Sequence, residues 1–233
     1  MLEVRDIDCF YGNVQVLRSL SVSLSAGEIL CLLGRNGVGK TTTLKAIMGL
    51  LPVRAGRITL DGAELTALAA HEVPKQGVAY VPQGRRLFAE LTVRDNLEIG
   101  LMTRNTGAET LEHVLDLFPV LKERLRQRAG TLSGGEQQML AMARALCIAP
   151  KVMLLDEPTE GLMPAMIATI RDSLRELRAN GVATLLVEQR VDAVLPIADR
   201  VAFVDGGRIH ETVEVTRLRE EPELLHRYVG VGH

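Results

Sequence analysis

No stretch of this chain is apolar for long enough to cross a bilayer. Hydrophobic residues fill 47% of its 233 positions, but the apolar runs are strand-length, far short of the ~20 residues a spanning helix needs. The opening Met1-Leu2-Glu3-Val4-Arg5-Asp6 lacks the apolar core of a signal peptide. Both absences point to a cytoplasmic protein that reaches a membrane only through a partner. Cysteines number three. Cys9, Cys31 and Cys147 show no metal spacing, which fits reduced thiols in a cytosolic compartment. The five histidines are scattered and form no ligand set. A formal net charge of −2 leaves no global nucleic-acid footprint. Arg124, Arg126 and Arg128 make a local basic cluster that reads as a solvated face. Internal repeats and low-complexity segments are missing too, so the length covers one domain, or one domain with a subdomain.

What is present starts with Gly34-Arg35-Asn36-Gly37-Val38-Gly39-Lys40-Thr41-Thr42. This fits G-x-x-x-x-G-K-[ST] in the setting that motif requires. Ile29-Leu30-Cys31-Leu32-Leu33 reads as a buried strand before it, and Thr43 to Met48 reads as the opening of a helix after it. Glycines let successive backbone N–H groups curl toward phosphate oxygens, where a Cβ would clash. The helix N-terminus adds partial positive charge. Lys40 is placed to reach the β- and γ-phosphates of a nucleoside triphosphate, and the Thr41 hydroxyl to ligate Mg²⁺.

Lys151-Val152-Met153-Leu154-Leu155-Asp156-Glu157 supplies a second half of that site. Four apolar residues form a buried strand that delivers Asp156 to the sheet edge, where it can bind Mg²⁺. Glu157 is placed to polarise an attacking water as general base. Further on, Ser133-Gly134-Gly135-Glu136 is a capping box that opens a helix from Gln137 to Ile148. A helix N-terminus with two glycines and a serine hydroxyl is also a second anion site, which the first phosphate loop of the same chain does not need. Two such sites make sense if two chains pair head to tail across a two-fold axis with ATP in the interface.

With these motifs the chain resembles the ATP-binding cassette family over nearly its whole length. Leu132-Ser133-Gly134-Gly135-Glu136-Gln137 looks like the family's signature sequence. The resemblance implies an α/β fold: a P-loop NTPase (RecA-like) core with an antiparallel β edge subdomain and an inserted α-helical subdomain. Residues 1–233 would form a single cassette, with the helical subdomain at about 84–150. The resemblance further implies that Tyr11, in Phe10-Tyr11-Gly12, stacks on adenine; on its own, Tyr-Gly is a hairpin turn. It gives Gln83, in Tyr80-Val81-Pro82-Gln83-Gly84, contact with Mg²⁺ and coupling to a membrane partner. The residues alone make that stretch a loop after a strand.

Two positions depart from the family pattern. After the strand Ala183-Thr184-Leu185-Leu186-Val187, where Thr-His-Asp is usual, stand Glu188-Gln189-Arg190. Gln189 occupies the place of the histidine that contacts the γ-phosphate; its amide can donate that bond but cannot become cationic. Met163 replaces the usual interface aspartate. The Val-Glu-Gln replacement, the phosphate loop and Gly84-Arg85-Arg86-Leu87-Phe88 resemble the ATPases of branched-chain amino acid importers, whose close relatives serve urea and short amides. That resemblance implies ATP and Mg²⁺ as ligands and membrane-spanning permease subunits as partners. It also implies a homodimer or a heterodimer with a sister ATPase, an indirect link to a periplasmic substrate-binding protein, and no nucleic acid. The chain would sit on the inner face of the cell membrane. A P-loop kinase is a rival of another class, needing no Ser133 site. A cassette acting on DNA or ribosomes is a third, usually carrying coiled coils or tandem cassettes.

Elsewhere the sequence predicts strands over the first thirty residues and at Arg57 to Leu60, with an Asp61-Gly62 turn. Helical patterning runs from Thr92 to about Leu125, and a helix opens at Pro164 and ends at Asn180-Gly181. A strand and hairpin are expected at Val201 to Gly207, and a helical tail from Thr216 to Tyr228.

Overall fold

Alternating apolar and polar side chains dominate the first sixty residues, and a computed structural model, which describes residues 1–221 and 223–229, folds them into an antiparallel sheet. Its strands are β1 (Leu2–Tyr11), β2 (Val14–Leu24), β4 (Val53–Leu60) and β5 (Ala63–Glu64), in the order β2-β1-β4-β5. The Tyr11-Gly12 stretch is a tight hairpin: Tyr11 pairs with Val14 and Gly12 takes a φ of 58°. Asp61 and Gly62 close the second hairpin, both with positive φ, as a two-residue turn between right-twisted strands requires.

The strands that lack this alternation form the other sheet. β3 (Ile29–Leu33), β7 (Val152–Asp156) and β8 (Ala183–Val187) are buried along their whole length, as parallel strands covered on both faces are. With β6 (Val78–Val81), β9 (Arg200–Asp205) and β10 (Arg208–Glu214) they run β10-β9-β3-β8-β7-β6. Every pairing is parallel except β9 with β10. Successive β3 residues feed opposite cores. Ile29, Cys31 and Leu33 join a cluster with the helices, while Leu30 and Leu32 join one with the antiparallel sheet and α1 (Lys40–Ile47).

Between β6 and β7 the chain is helical: α2 (Val93–Arg104), α3 (Ala108–Leu117), α4 (Pro119–Glu123) and α5 (Gly134–Leu146). The predicted helical run from Thr92 is thus divided, first at Asn105, which adopts a φ of 51°, and then at Pro119. Thr92 and Asp95 form a capping box at the start of α2. Helices α2 and α5 cross at Gly100, where an added Cβ would lie 2.4 Å from the Arg144 carbonyl oxygen. The helix expected from Gln137 begins three residues earlier. Ser133 is its N-cap, so both glycines occupy the first turn, where N–H groups have no partner within the helix.

α6 (Pro164–Ala179) opens on its proline, α7 (Val191–Val194) is one turn, and α8 (Val215–Glu220) and α9 (Glu223–Val229) form the helical tail. Pro222, within the helix expected there, lies outside the described residues. Among the described residues no helix is long and apolar enough to cross a membrane. The three cysteines are buried and free, and burial pushes the Cys147 thiol up to about 12.

Candidate functional site

The C-terminal ends of β3, β7 and β8 lie side by side, and ligands of open α/β sheets bind at such an edge. Each strand releases a loop there: residues 34–39 after β3, Glu157 after β7, and Glu188-Gln189 after β8. The three loops, with Gln83 after β6, enclose a cleft of about 280 Å³. Lys40, Thr41, Thr42, Gln83, Glu157 and Gln189 line it together with Asn36, Gly37 and Gly39.

The phosphate-loop motif closes on itself. Lys40 begins α1, and its Nζ donates to the carbonyl oxygens of Gly34 at 2.8 Å and Arg35 at 2.9 Å. Burial lowers the lysine's pKa, while Glu157 and Asp156 pull it back up. Gly39 holds a φ of 112°, a conformation L side chains rarely adopt, with the Val38 carbonyl accepting a bond from Gly207 N.

Asp156 is 2% exposed, and burial raises its pKa. Thr41 Oγ1 donates to its Oδ1 at 2.9 Å and Tyr80 Oη to its Oδ2 at 3.3 Å. Among the described residues no ion pair reaches it. A buried carboxylate bonded by two hydroxyls, with lysine charges nearby but not in contact, remains costly, and its oxygens beside those hydroxyls suit a hard divalent cation. The residues present therefore fit Mg²⁺.

Glu157 is held twice. Gln189 Nε2 donates to its Oε1 at 2.6 Å and Gln83 Nε2 to its Oε2 at 3.3 Å. Gln83 also donates to Glu160 at 2.9 Å, so its amide faces these carboxylates instead of the Thr41–Asp156 pair. The Glu157 backbone is left-handed, with a φ of 50°, and its N–H donates to Val187 O.

Other predicted residues lie outside this lining. Tyr11 is 47% exposed at the end of β1. Ser133, Gly134 and Gly135 form the N-terminus of α5, where the capping box is complete: Ser133 N donates to Glu136 Oε2 at 2.8 Å. None of these three residues lines the cleft formed around the same chain's phosphate loop. Met163 is 73% exposed as the N-cap of α6. Arg124 of the basic cluster pairs with Glu136 at 2.9 Å.

Three features of the site went unforeseen. Tyr80 approaches Asp156 from β6. Glu188, read only as a departure from the family pattern, is 2% exposed. Its one signal was an acidic residue directly after an apolar strand. Arg85 and Arg86, beside Gln83, both have left-handed backbones, with φ of 65° and 49°. They are tied to α5 by Arg85 Nη1 donating to Gln137 at 3.1 Å and Arg144 Nη2 donating to the Arg86 carbonyl at 2.8 Å.

Comparison with known proteins places the chain in a family. Residues 17–160 match the family described as ABC transporter. The chain is 42% identical to the high-affinity branched-chain amino acid transport ATP-binding protein BraG of Pseudomonas aeruginosa, over 99% of this chain and 100% of that one. It is 40% identical to the probable branched-chain amino acid transport ATP-binding protein LivF of Archaeoglobus fulgidus, over 99% of each. Among solved structures, the ADP conformation of MJ1267, an ATP-binding cassette of an ABC transporter, superposes with a TM-score of 0.86 over 99% of both chains at 26% identity. With a phosphate loop, a buried aspartate and a glutamate on one sheet edge, the chain belongs to the ABC transporter family and is one of its ATP-binding, ATP-hydrolysing subunits.

Proposed function

We propose that this chain is the ATPase of an importer for branched-chain amino acids and works as a dimer of cassettes. The observation that carries the catalytic half is the Glu157 carboxylate, fixed by Gln189 at 2.6 Å in the cleft that also contains Lys40 and Thr41. In this reading the phosphate loop and Lys40 hold the triphosphate, and Tyr11 stacks on the adenine. Thr41 and Asp156 would hold Mg²⁺, joined by Gln83 once its amide turns from Glu157 and Glu160, and the ion when bound would neutralise charge on the phosphates. Glu157 takes a proton from water as its oxygen bonds to the γ-phosphorus, and the bond to the ADP oxygen breaks. Gln189 orients Glu157 and donates to the γ-phosphate. Ser133, Gly134 and Gly135 complete the site from the other chain, their helix N-terminus exposed for that purpose.

Closure would pass to the membrane through the helical block, about residues 84–150. A groove of about 520 Å³ lies beside the Gln83 loop, lined by Leu50, Tyr80, Phe88 and Ile99 and rimmed by Arg86 and Arg144. An apolar floor with a basic rim suits an amphipathic, acidic cytoplasmic segment of a permease. The two arginine ties between this loop and α5 provide the mechanical link from groove to Ser133. In this reading the chain lies on the cytoplasmic face of the membrane, and its partner cassette is a second copy or a sister ATPase. The amino-acid assignment draws its support from the full-length similarity to BraG and LivF.

The test is reconstitution with its cognate permease subunits and substrate-binding protein. ATP-driven uptake of leucine or isoleucine into proteoliposomes is expected. Uptake of urea or short amides instead would overturn the substrate class, and ATP turnover without any uptake would overturn the importer.

A further inference from the structure

Glu188 has no part in the site as described so far, yet it is one of the most buried charged residues of the protein. Burying a carboxylate is costly unless its oxygens are bonded. Here the main hydrogen bonds come from one residue: Glu188 Oε1 accepts from Thr159 N at 3.0 Å and from Thr159 Oγ1 at 2.7 Å, while the backbone N–H of neighbouring Gln189 adds a weaker one. Thr159 is itself 4% exposed, and among the described residues no ion pair reaches Glu188. A leucine at the end of this apolar strand would cost less, so stability alone gives no reason for a carboxylate.

The reason lies two residues before Thr159. Glu157 keeps a left-handed backbone without being glycine, a strain that lasts only where the surroundings enforce it. The Val187 carbonyl holds the Glu157 N–H at 2.9 Å, and the next residue, Glu188, holds Thr159 on the far side of Pro158. The residue after that, Gln189, holds the Glu157 carboxylate. Three consecutive residues at the end of β8 therefore grip both ends of the strained turn and the side chain it presents.

We propose that Glu188 is a positioning residue for ATP hydrolysis, acting through Thr159 to fix the turn that aims Glu157 into the cleft. This rests on Glu157 being the base. Glu188 is not among the residues that line the cleft. Its removal should slow the chemical step while leaving nucleotide binding alone.

The experiment compares Glu188→Ala, Glu188→Gln, Thr159→Val and the Ala/Val double variant by kcat, KM for ATP, affinity for a non-hydrolysable ATP analogue, and thermal melting. Glu188→Ala is expected to lose about tenfold or more in kcat, with KM and analogue affinity within about twofold. Glu188→Gln keeps a carbonyl oxygen for both Thr159 bonds and should retain at least about a third of parental kcat. Thr159→Val loses only the hydroxyl bond and should fall about threefold, and the double variant should be no slower than Glu188→Ala alone. Parental kcat in folded Glu188→Ala, equal losses in the Gln and Ala variants, or additive losses in the double variant would each overturn the proposal. If Glu188→Ala does not fold, parental kcat in Thr159→Val overturns it. Glu157→Gln serves as the control. Parental turnover there removes the base assignment itself, whereas an inactive Glu157→Gln beside a parental Glu188→Ala removes only the role of Glu188.

Discussion

Replacing Gln189 separates an amide that works on Glu157 from one that merely ends a strand. Its Nε2 lies 2.6 Å from Glu157 Oε1, and a hydrogen bond to a charged group contributes about 1.5–3 kcal/mol. Gln189 is exposed, so the lower figure applies, and ~1.5 kcal/mol corresponds to about tenfold in rate. Gln189→Ala should therefore lower kcat about tenfold, with KM for ATP within about twofold because Lys40 and the phosphate loop are untouched. Gln189→His keeps a donor but adds a group that titrates near pH 6.5. Below that pH an imidazolium beside Glu157 favours the carboxylate form and weakens it as a base. Turnover of the histidine variant should thus fall on the acid side with an inflection between about pH 6 and 7.5, absent from the parent. Steady-state phosphate release by the three proteins from about pH 5.5 to 9 provides the measurement. Superimposable profiles with equal turnover would refute any contact between this position and the reaction.

Three further outcomes follow from other parts of the structure. Mixing Ser133→Arg with Lys40→Ala chains should restore activity above either alone, because both lesions can fall in one composite site; with a sister ATPase the test uses that pair, and proven mixed dimers without activity would count against a shared site. Gly100→Ala forces a methyl group against the Arg144 carbonyl, and overpacking of about 1–3 kcal/mol should lower the melting temperature by several degrees, an unchanged Tm showing that α2 and α5 yield freely. Burial raises the Glu188 pKa, only partly offset by its Thr159 bonds, so its proton-linked stabilisation is complete below the unfolded value of about 4.3 and is lost as pH rises through the folded value. The melting temperature of Glu188→Gln relative to the parent should accordingly be higher at pH 8 than at pH 5, and a pH-independent difference would contradict the shift.

The phosphate loop was legible because its chemistry is local. Phosphate binding needs glycines, a lysine and a threonine at fixed spacing between a strand and a helix, and β3 and α1 flank the motif as the spacing demands. The capping box was legible for the same reason, although the two glycines made α5 seem to start three residues late. The grip of Glu188 on Thr159 could not be read, since it depends on β7 and β8 lying side by side with Asp156 opposite Val187. The same holds for Tyr80 over Asp156, which joins β6 to β7. Gly84 marks a turn, but the left-handed conformation continues through Arg85 and Arg86, which are not glycines, and their ties to α5 help to hold it.

The central claim is that Glu157 activates water at a site shared by two chains, and Glu157→Gln tests it most directly. Phosphate release and the ATP-dependent oligomeric state are measured on the same preparation. The variant should bind ATP, accumulate as an ATP-bound dimer and lose at least about two orders of magnitude in turnover. Near-parental turnover with no trapped dimer would contradict both halves of the claim.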